Sequence, residues 1–301
     1  MAPISPFPKS LIDHIQSNLY IAMGEVFLYG AYAIIFGFYI HVLHTRGMPK
    51  NRFLNAATIS LFIVCTAHLA LFLASISSQN QDDEAYAVES AVLYDRFQMT
   101  ALNLNRATNA IYITATVIAD SIFIFRCYAI WDFSRSVIIA PIIFTICGAV
   151  LGYTDSVSSN TTEISDSKFD LSIAFSILTT FMLMILTAGR IWYLARQARV
   201  VMGPKITSRY YTICAMILES GALYAAGGIA YIVFSALPPS VDEILTRGGA
   251  ILGQLVGIAP TIIAVRVGLG KSIESVDSFG VQVLFPADPT SRAPPNRSSY
   301  D

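Results

Sequence analysis

Four ionisable side chains fall inside long apolar runs of this sequence, where they could bind a ligand or carry a proton. They are Glu25, His68, Asp120 and Glu219. A charged group is costly in hydrocarbon, so such residues usually face other helices and often mark a functional site. Asp120 and Glu219 lie in the middle or inner half of their runs, and the two could approach each other if their helices are neighbours. The alternative is a polar contact that only holds helices together.

Gln254 and Pro260 lie in the last apolar run of the chain. Gln254 is a further candidate for ligand binding, and Pro260 would kink a helix there, either as a hinge or as a static bend. At the end of an earlier run, Arg126-Cys-Tyr128 is similar to the acid-Arg-Tyr triplet of rhodopsin-like receptors, although Phe125 replaces the acid. Arg126 and Tyr128 are therefore candidates for a cytoplasmic switch. The alternative is an arginine that only reaches toward lipid phosphates.

Glycines recur at intervals of four residues in two of the apolar runs. The positions are Gly148 and Gly152 in one run, and Gly249, Gly253 and Gly257 in the last. Small residues at this spacing let two helices approach closely. The pattern predicts helix packing and no chemistry of its own.

Several kinds of site are excluded by where the reactive residues lie. All five lysines lie outside the apolar runs, so a retinal Schiff base has no lysine to use. The four histidines are divided between the two ends expected for the bundle, which argues against a three-histidine zinc site. No nucleophile–base–orienter set and no phosphate-binding motif can be assembled. We therefore expect no metal, no cofactor and no enzymatic activity, and the lack of a basic, aromatic cluster argues against nucleic acid.

The composition is that of a membrane protein. The chain is 54% hydrophobic and only 13% charged, whereas a soluble domain carries about 25% charged residues. Helices are the expected spanning form because lipid offers no partners for free backbone groups. The sequence therefore predicts an all-α bundle of seven transmembrane helices, with the topology of G-protein-coupled receptors. The predicted spans are residues 19–43, 53–76, 107–131, 137–153, 170–194, 210–234 and 244–265.

The segments around these spans are polar. Residues 1–18 are predicted to be a loose extracellular leader, residues 19–266 the membrane domain, and residues 267–301 a cytoplasmic tail that is disordered from about residue 286. The acidic stretch 77–106 is expected to be a loop that contains either a helix lying at the membrane surface or an extension of the third span.

Basic residues are divided unequally between the two sides of the expected bundle. The odd-numbered loops and the tail hold 14 of the 19 lysines and arginines. Positive charge gathers on the cytoplasmic side, so the N-terminus is expected outside and the C-terminus inside. Asn160-Thr-Thr162 is a glycosylation acceptor pattern, and it falls in an expected outer loop. We expect a multi-pass protein of the plasma membrane rather than of an internal membrane.

Three motifs carry a resemblance to a known group of proteins. They are Asp120-Ser-Ile-Phe-Ile-Phe-Arg126-Cys-Tyr-Ala-Ile-Trp131, Gln254-Leu-Val-Gly-Ile-Ala-Pro260-Thr and Arg266-Val-Gly-Leu-Gly270-Lys271. Over residues 19–279 the chain resembles a large group of uncharacterised seven-span integral membrane proteins of basidiomycete, mushroom-forming fungi. The resemblance implies seven spans and a fungal origin, and the group has no established activity to transfer.

Two functions stay open from the sequence alone. The first is a receptor-like sensor with a cavity among spans three, five, six and seven, a small-molecule or lipid ligand, and a cytosolic effector. The second is a secondary transporter or lipid-translocating protein that uses the buried carboxylates as proton or substrate sites. Both hypotheses place the protein in the lipid bilayer, and ligand-dependent coupling or proton-linked flux would separate them.

Overall fold

The described part of the chain is helical apart from one short turn. The computed structural model describes residues 9–45, 52–87, 91–157, 163–202, 219, 221–222, 224–233 and 252–266. The helices are α1 (Lys9–Thr45), α2 (Arg52–Ala87), α3 (Ala91–Ile130), α4 (Arg135–Val157) and α5 (Glu163–Met202), followed by the shorter α6 (Tyr224–Val233) and α7 (Leu252–Arg266). No strand occurs within these residues. The all-α prediction is therefore confirmed.

Five of these helices contain a stretch that is long and apolar enough to cross a membrane. The stretches are Asn18–Thr45, Arg52–Gln81, Met99–Ile130, Arg135–Val157 and Lys168–Tyr193. Helices are the form that satisfies every backbone group inside lipid, so these lengths support a membrane-embedded protein. The described parts of α6 and α7 are apolar but shorter, and a count of seven spans stays a prediction.

The helices extend beyond the predicted spans at one end of the bundle. The expected leader is helical from Lys9, and Asn18 is fully buried with its amide donating to Asn80 on α2 over 3.1 Å. A loose leader up to residue 18 was therefore wrong. The acidic stretch 77–106 lies almost wholly within α2 and α3, because α2 continues to Ala87 and α3 begins at Ala91. Of the two alternatives for that stretch, the extension of the third span is the one observed.

α3 is the central helix of the bundle. It packs against α2, α4 and α5, while α4 packs on α5 and α1 on α2. α7 is buried along most of its length, and its residues enter the same apolar core as Tyr32, Leu61 and Ile122. α3 and α7 therefore both border the apolar core.

Glycine lets several of these helices approach closely. A Cβ on Gly253 would lie 2.6 Å from the His68 ring, and one on Gly257 would lie 2.7 Å from the Tyr32 ring. On α4, a Cβ on Gly148 would come within 3.2 Å of Phe175, and one on Gly152 would clash with Ile113 on α3. These contacts agree with the packing role that the spacing predicts. Gly249 lies outside the described residues.

A tight turn joins α3 to α4 and fixes the position of Trp131. Asp132 and Phe133 have φ values of 53° and 60°, a left-handed conformation that is uncommon for residues with a Cβ. The Phe133 N–H donates to the Tyr128 carbonyl over 3.0 Å and closes the helix end. The turn therefore holds the end of α3 and the start of α4 beside each other.

Candidate functional site

Glu25, His68 and Gln254 meet in the core although they come from three helices. The His68 Nδ1 and the Glu25 Oε1 are 3.1 Å apart, and the Gln254 amide donates to the same Glu25 oxygen over 3.3 Å. Gln254 also donates to the Cys65 carbonyl over 3.4 Å. We call Glu25, Cys65, His68 and Gln254 the Glu25 cluster. These buried polar contacts join α1, α2 and α7.

The Glu25 cluster has more acceptors than donors. Glu25 and Gln254 are fully buried, yet the Glu25 Oε2 and the Gln254 Oε1 have no hydrogen-bond partner in the described part of the chain. Buried acceptors usually find a donor, so each orphan requires an explanation. A proton on Glu25 or a trapped water molecule would supply the missing donor. The Glu25 cluster therefore requires a donor that the described side chains do not supply.

Gly253 makes room for this arrangement. The His68 imidazole lies so close to Gly253 that no Cβ would fit between them. The Gly253 carbonyl also accepts a weak hydrogen bond from the Cys65 thiol over 3.5 Å. The sequence groups Glu25 with His68 as ionisable residues of apolar runs, and gives Gln254 and Gly253 separate roles. The structure shows that they form one local arrangement.

Asp120 faces a small cavity at the junction of four helices. The carboxylate is 4% exposed and accepts a hydrogen bond of 3.4 Å from Thr145 on α4. The cavity beside it is lined by Thr116, Ala119, Asp120 and Phe123 of α3, Ser176 and Thr180 of α5, Tyr224 of α6, and Val256 and Ala259 of α7. These helices are the ones among which the sequence predicted a ligand cavity.

The size and lining of this cavity limit what it can hold. It offers about 10 Å³ to the centre of a water-sized sphere, about the room for one water molecule. Organic ligands need about 300–1,000 Å³, so the cavity has room for a water molecule or a small cation in this structure. The buried Thr180 hydroxyl interacts with the Asp120 carboxylate, and Ser176 bonds to the Tyr224 hydroxyl over 2.8 Å. We call this the Asp120 cavity.

Glu219 does not belong to the Asp120 cavity. Its side chain is 64% exposed and pairs with Arg266 at the end of α7, with 3.0 Å between Oε2 and Nη1. The structure does not bring the two carboxylates together, since Asp120 is buried and Glu219 is exposed. The basic partner explains the difference, because Arg266 holds Glu219 at the surface of the bundle.

Arg126 is half-buried where α3 meets α7, about one and two-thirds turns beyond Asp120. Its Nη2 donates to the Pro260 carbonyl over 3.5 Å, whereas its Nε and Nη1 are buried without an acceptor among the described residues. Tyr39 and Asn55, which bond to each other over 2.9 Å, form a polar pair between α1 and α2, and Tyr39 interacts electrostatically with Arg126. An arginine that only reached toward lipid phosphates would not be enclosed in this way.

The remaining candidates have other surroundings. Tyr128 packs edge-on against Phe133 in the α3–α4 turn, with ring centroids 5.1 Å apart. Pro260 is buried inside α7, which continues as a helix on both sides of it. Asn160 lies outside the described residues.

Sequence reasoning missed the hydroxyl and amide partners of these sites. Thr145, Thr180, Ser176, Tyr224, Tyr39 and Asn55 gave no signal, because such residues are frequent in membrane helices and carry no charge. The sequence shows only which face of its own helix each residue occupies. It does not show which neighbouring helix that face contacts.

The comparisons give this chain no relative. No model of a known protein family, no curated protein and no solved structure matches it. Within the described residues, no three histidine, cysteine or acidic side chains are grouped as metal ligands. Any function must therefore be argued from the Glu25 cluster, the Asp120 cavity and the buried arginine.

Proposed function

We propose that this chain is a seven-span, receptor-like sensor of the plasma membrane, with its N-terminus outside and its C-terminus in the cytoplasm. The proposed orientation is supported by the 14 of 19 basic residues that fall on one side. The proposed fungal origin rests on the three sequence motifs quoted above. Five long apolar helices support the membrane location.

One observation carries the sensor proposal. α3 brings the carboxylate of Asp120 to the Asp120 cavity and, six residues further on, the guanidinium of Arg126 to the carbonyl of Pro260. A change at the cavity therefore acts on the same helix that makes the α3–α7 contact about 9 Å away along the axis. Coupling between sites requires such a physical connection and two arrangements that a ligand distinguishes.

The buried donors of Arg126 indicate where the second arrangement forms. Two of its nitrogen atoms, Nε and Nη1, lack acceptors, and leaving a buried donor unpaired costs about 1–3 kcal/mol. A small rotation of α3 or α7 that offers an acceptor would recover part of that free energy. The sensor therefore rests in a form in which α3 and α7 hold Arg126 incompletely paired.

The input to this sensor is a proton or a small cation. The Asp120 cavity admits nothing larger than a water molecule in this form, and a carboxylate with neighbouring hydroxyl groups is a ligand for hard cations. An organic ligand would have to bind elsewhere or open the contacts among α3, α5, α6 and α7.

A thermal-shift experiment on the purified protein tests this proposal. We expect sodium or lithium, added at constant pH, to shift the melting temperature of the wild type, and Asp120→Asn to remove the shift. Glu219→Gln, which changes an exposed carboxylate, is the matched control and should keep it. A shift of equal size in Asp120→Asn would refute the proposed input, and absence of effector coupling across a broad ligand panel would count against a receptor.

A proton-linked transporter is the second candidate, because buried groups that can carry a proton follow one another in space along the bundle. Glu25 contacts His68, whose ring lies 6.2 Å from that of Tyr112, and Tyr224 borders the Asp120 cavity. Chains of such groups are used as proton relays in pumps and transporters. Proton uptake into reconstituted vesicles that Asp120→Asn abolishes would favour this function over the sensor, and no flux would exclude it.

A further inference from the structure

Aromatic rings and arginines form a cluster where α3 ends and where the apolar stretch of α5 ends. The Arg190 guanidinium carbon lies 5.1 Å from the centre of the Trp131 ring and 5.8 Å from that of Tyr193. The Arg196 guanidinium carbon lies 5.2 Å from the centre of the Trp192 ring. We call these five residues the aromatic–arginine cluster. None of them contributes to the Asp120 cavity or to the Glu25 cluster.

Trp131 fixes the two helices against each other at this point. Its indole N–H donates to the Leu186 carbonyl on α5 over 3.1 Å. This hydrogen bond links the ring at the end of α3 to the backbone of α5. The ring then presents a face to Arg190 in a fixed position. Cation–π contacts of this kind hold a guanidinium by its faces and leave its edge for another partner.

The guanidinium N–H groups of Arg190 are not fully paired with hydrogen-bond acceptors among the described residues. Its Nε is buried and has no hydrogen-bond partner in the part of the chain that the structure describes. No acidic side chain pairs with Arg190 among the described residues. Because Nε is enclosed and Arg190 is only half-buried, the remaining guanidinium N–H groups are the ones that an anion would meet, and charged donors of this kind bind anions strongly.

The location of the cluster identifies the anion. The apolar stretch of α5 ends at Tyr193, so Arg190 occupies the last turn of the expected span. Trp192 and Tyr193 are 47% and 49% exposed, as expected of rings at the level of lipid headgroups. The anions at this depth are the phosphates of membrane lipids.

The charge of the cluster selects among lipids. Arg196 adds a second guanidinium, and Arg199, Lys205 and Arg209 follow in the sequence. A zwitterionic headgroup would bring its own cation toward these positive charges, whereas an anionic headgroup would not. Basic residues at a membrane surface favour anionic lipids for this reason.

We propose that Arg190, held by Trp131 and Tyr193, forms a binding site for the headgroup phosphate of an anionic phospholipid. This site is independent of whether the protein is a sensor or a transporter. It requires only that the end of α5 lies at the membrane surface.

The two tryptophans of the chain provide the readout for a test. In a Trp192→Phe background, Trp131 is the single tryptophan and lies in the proposed site. The protein is reconstituted into phosphatidylcholine vesicles, to which one of two brominated lipids is added. One is phosphatidylglycerol and the other is phosphatidylcholine, and both carry bromine near the headgroup. Bromine quenches the emission of a tryptophan that it contacts, so the two titrations give the relative association of each lipid with Trp131.

We expect the anionic lipid to associate at least about fivefold more strongly, the effect of about one basic residue at a membrane surface. Arg190→Gln should reduce the preference to within about twofold, and Arg190→Lys should restore part of it because the charge returns without the planar fork. Arg135→Gln is the matched control, since Arg135 is an exposed arginine at the start of α4 beside Trp131. It should keep the preference.

Equal quenching by the two lipids in the protein with Arg190 intact would overturn the proposal, and this comparison needs no variant that might misfold. An equal loss of preference in Arg190→Gln and Arg135→Gln would also overturn it, because general surface charge would then explain the binding. Neither result bears on the response of the Asp120 cavity to protons or cations, which is measured separately.

Discussion

His68 on α2 and Glu25 on α1 form a buried pair, with 3.1 Å between Nδ1 and Oε1 and at most 3% exposure of either side chain. Gln254 on α7 binds the same carboxylate oxygen, so one acidic group joins three helices. A buried acid and its partner are strongly interdependent, because removal of one partner leaves the other unpaired away from water. The Glu25 cluster is therefore both a structural link and a chemically responsive site.

The first prediction concerns this pair. His68→Leu should lower the free energy of unfolding in detergent by about 1–3 kcal/mol, because it leaves the Glu25 carboxylate without its partner. Glu25→Gln should cost less, since an amide can still bond to His68 and Gln254. The double variant should show a coupling energy of at least about 0.5 kcal/mol, and strict additivity of the two single changes would contradict a direct interaction.

The second prediction concerns the glycine beside His68. Gly253→Ala should destabilise the protein by about 1–3 kcal/mol, because its Cβ would lie 2.6 Å from the imidazole. Gly37→Ala is the matched control, since a Cβ there meets nothing within 4 Å. That change should be neutral or stabilising by up to about 1 kcal/mol through helix propensity. Thermal melting that ranks the two variants in the opposite order would contradict the packing described for α7.

The third prediction separates the two carboxylates that the sequence grouped together. Asp120→Asn should leave the melting temperature unchanged or raise it, because it removes a buried charge while an amide can still bond to Thr145. Glu219→Gln should change the free energy of unfolding by less than about 1 kcal/mol, as expected for an exposed ion pair. A large loss of stability in Asp120→Asn would mean that the charge itself holds the bundle together.

The fourth prediction concerns the incompletely paired arginine. Arg126→Met should raise the free energy of unfolding by about 1–3 kcal/mol, because it removes buried N–H groups that lack acceptors and keeps most of the side-chain volume. Arg135→Met, on the exposed start of α4, is the control and should stay within about 0.5 kcal/mol. Chemical or thermal unfolding in detergent measures both. Destabilisation by Arg126→Met would show that the guanidinium is fully paired.

Much of the architecture could be predicted from the sequence because apolar runs of this length have few structural solutions. Asp120 illustrates how far this reasoning reaches, because its burial among helices follows from the cost of a charge in lipid. Lys9 to Asn18 illustrates the limit of this reasoning. A polar segment with nearby prolines gives no sign that Asn18 on α1 bonds to Asn80 on α2. Boundaries set by tertiary contacts are not encoded in local composition.

The contacts of the candidate sites were less predictable. Glu219 has the same charge and the same apolar surroundings in sequence as Asp120, and only the position of Arg266 in space separates their roles. The meeting of Glu25, His68 and Gln254 depends on residues 229 positions apart in the chain. No pattern within one helix reports such a pairing, because it depends on which helices are neighbours and at what depth.

The most direct test of the account follows Trp131 while the Asp120 cavity is titrated. In Trp192→Phe protein reconstituted in vesicles, the emission of Trp131 reports on the end of α3, beyond Arg126. The account predicts that acid or sodium changes this emission, that Asp120→Asn abolishes the change and that Glu219→Gln preserves it. An unchanged response in Asp120→Asn, or no response while Asp120 is present, would contradict the claim that the cavity controls the end of the bundle through α3.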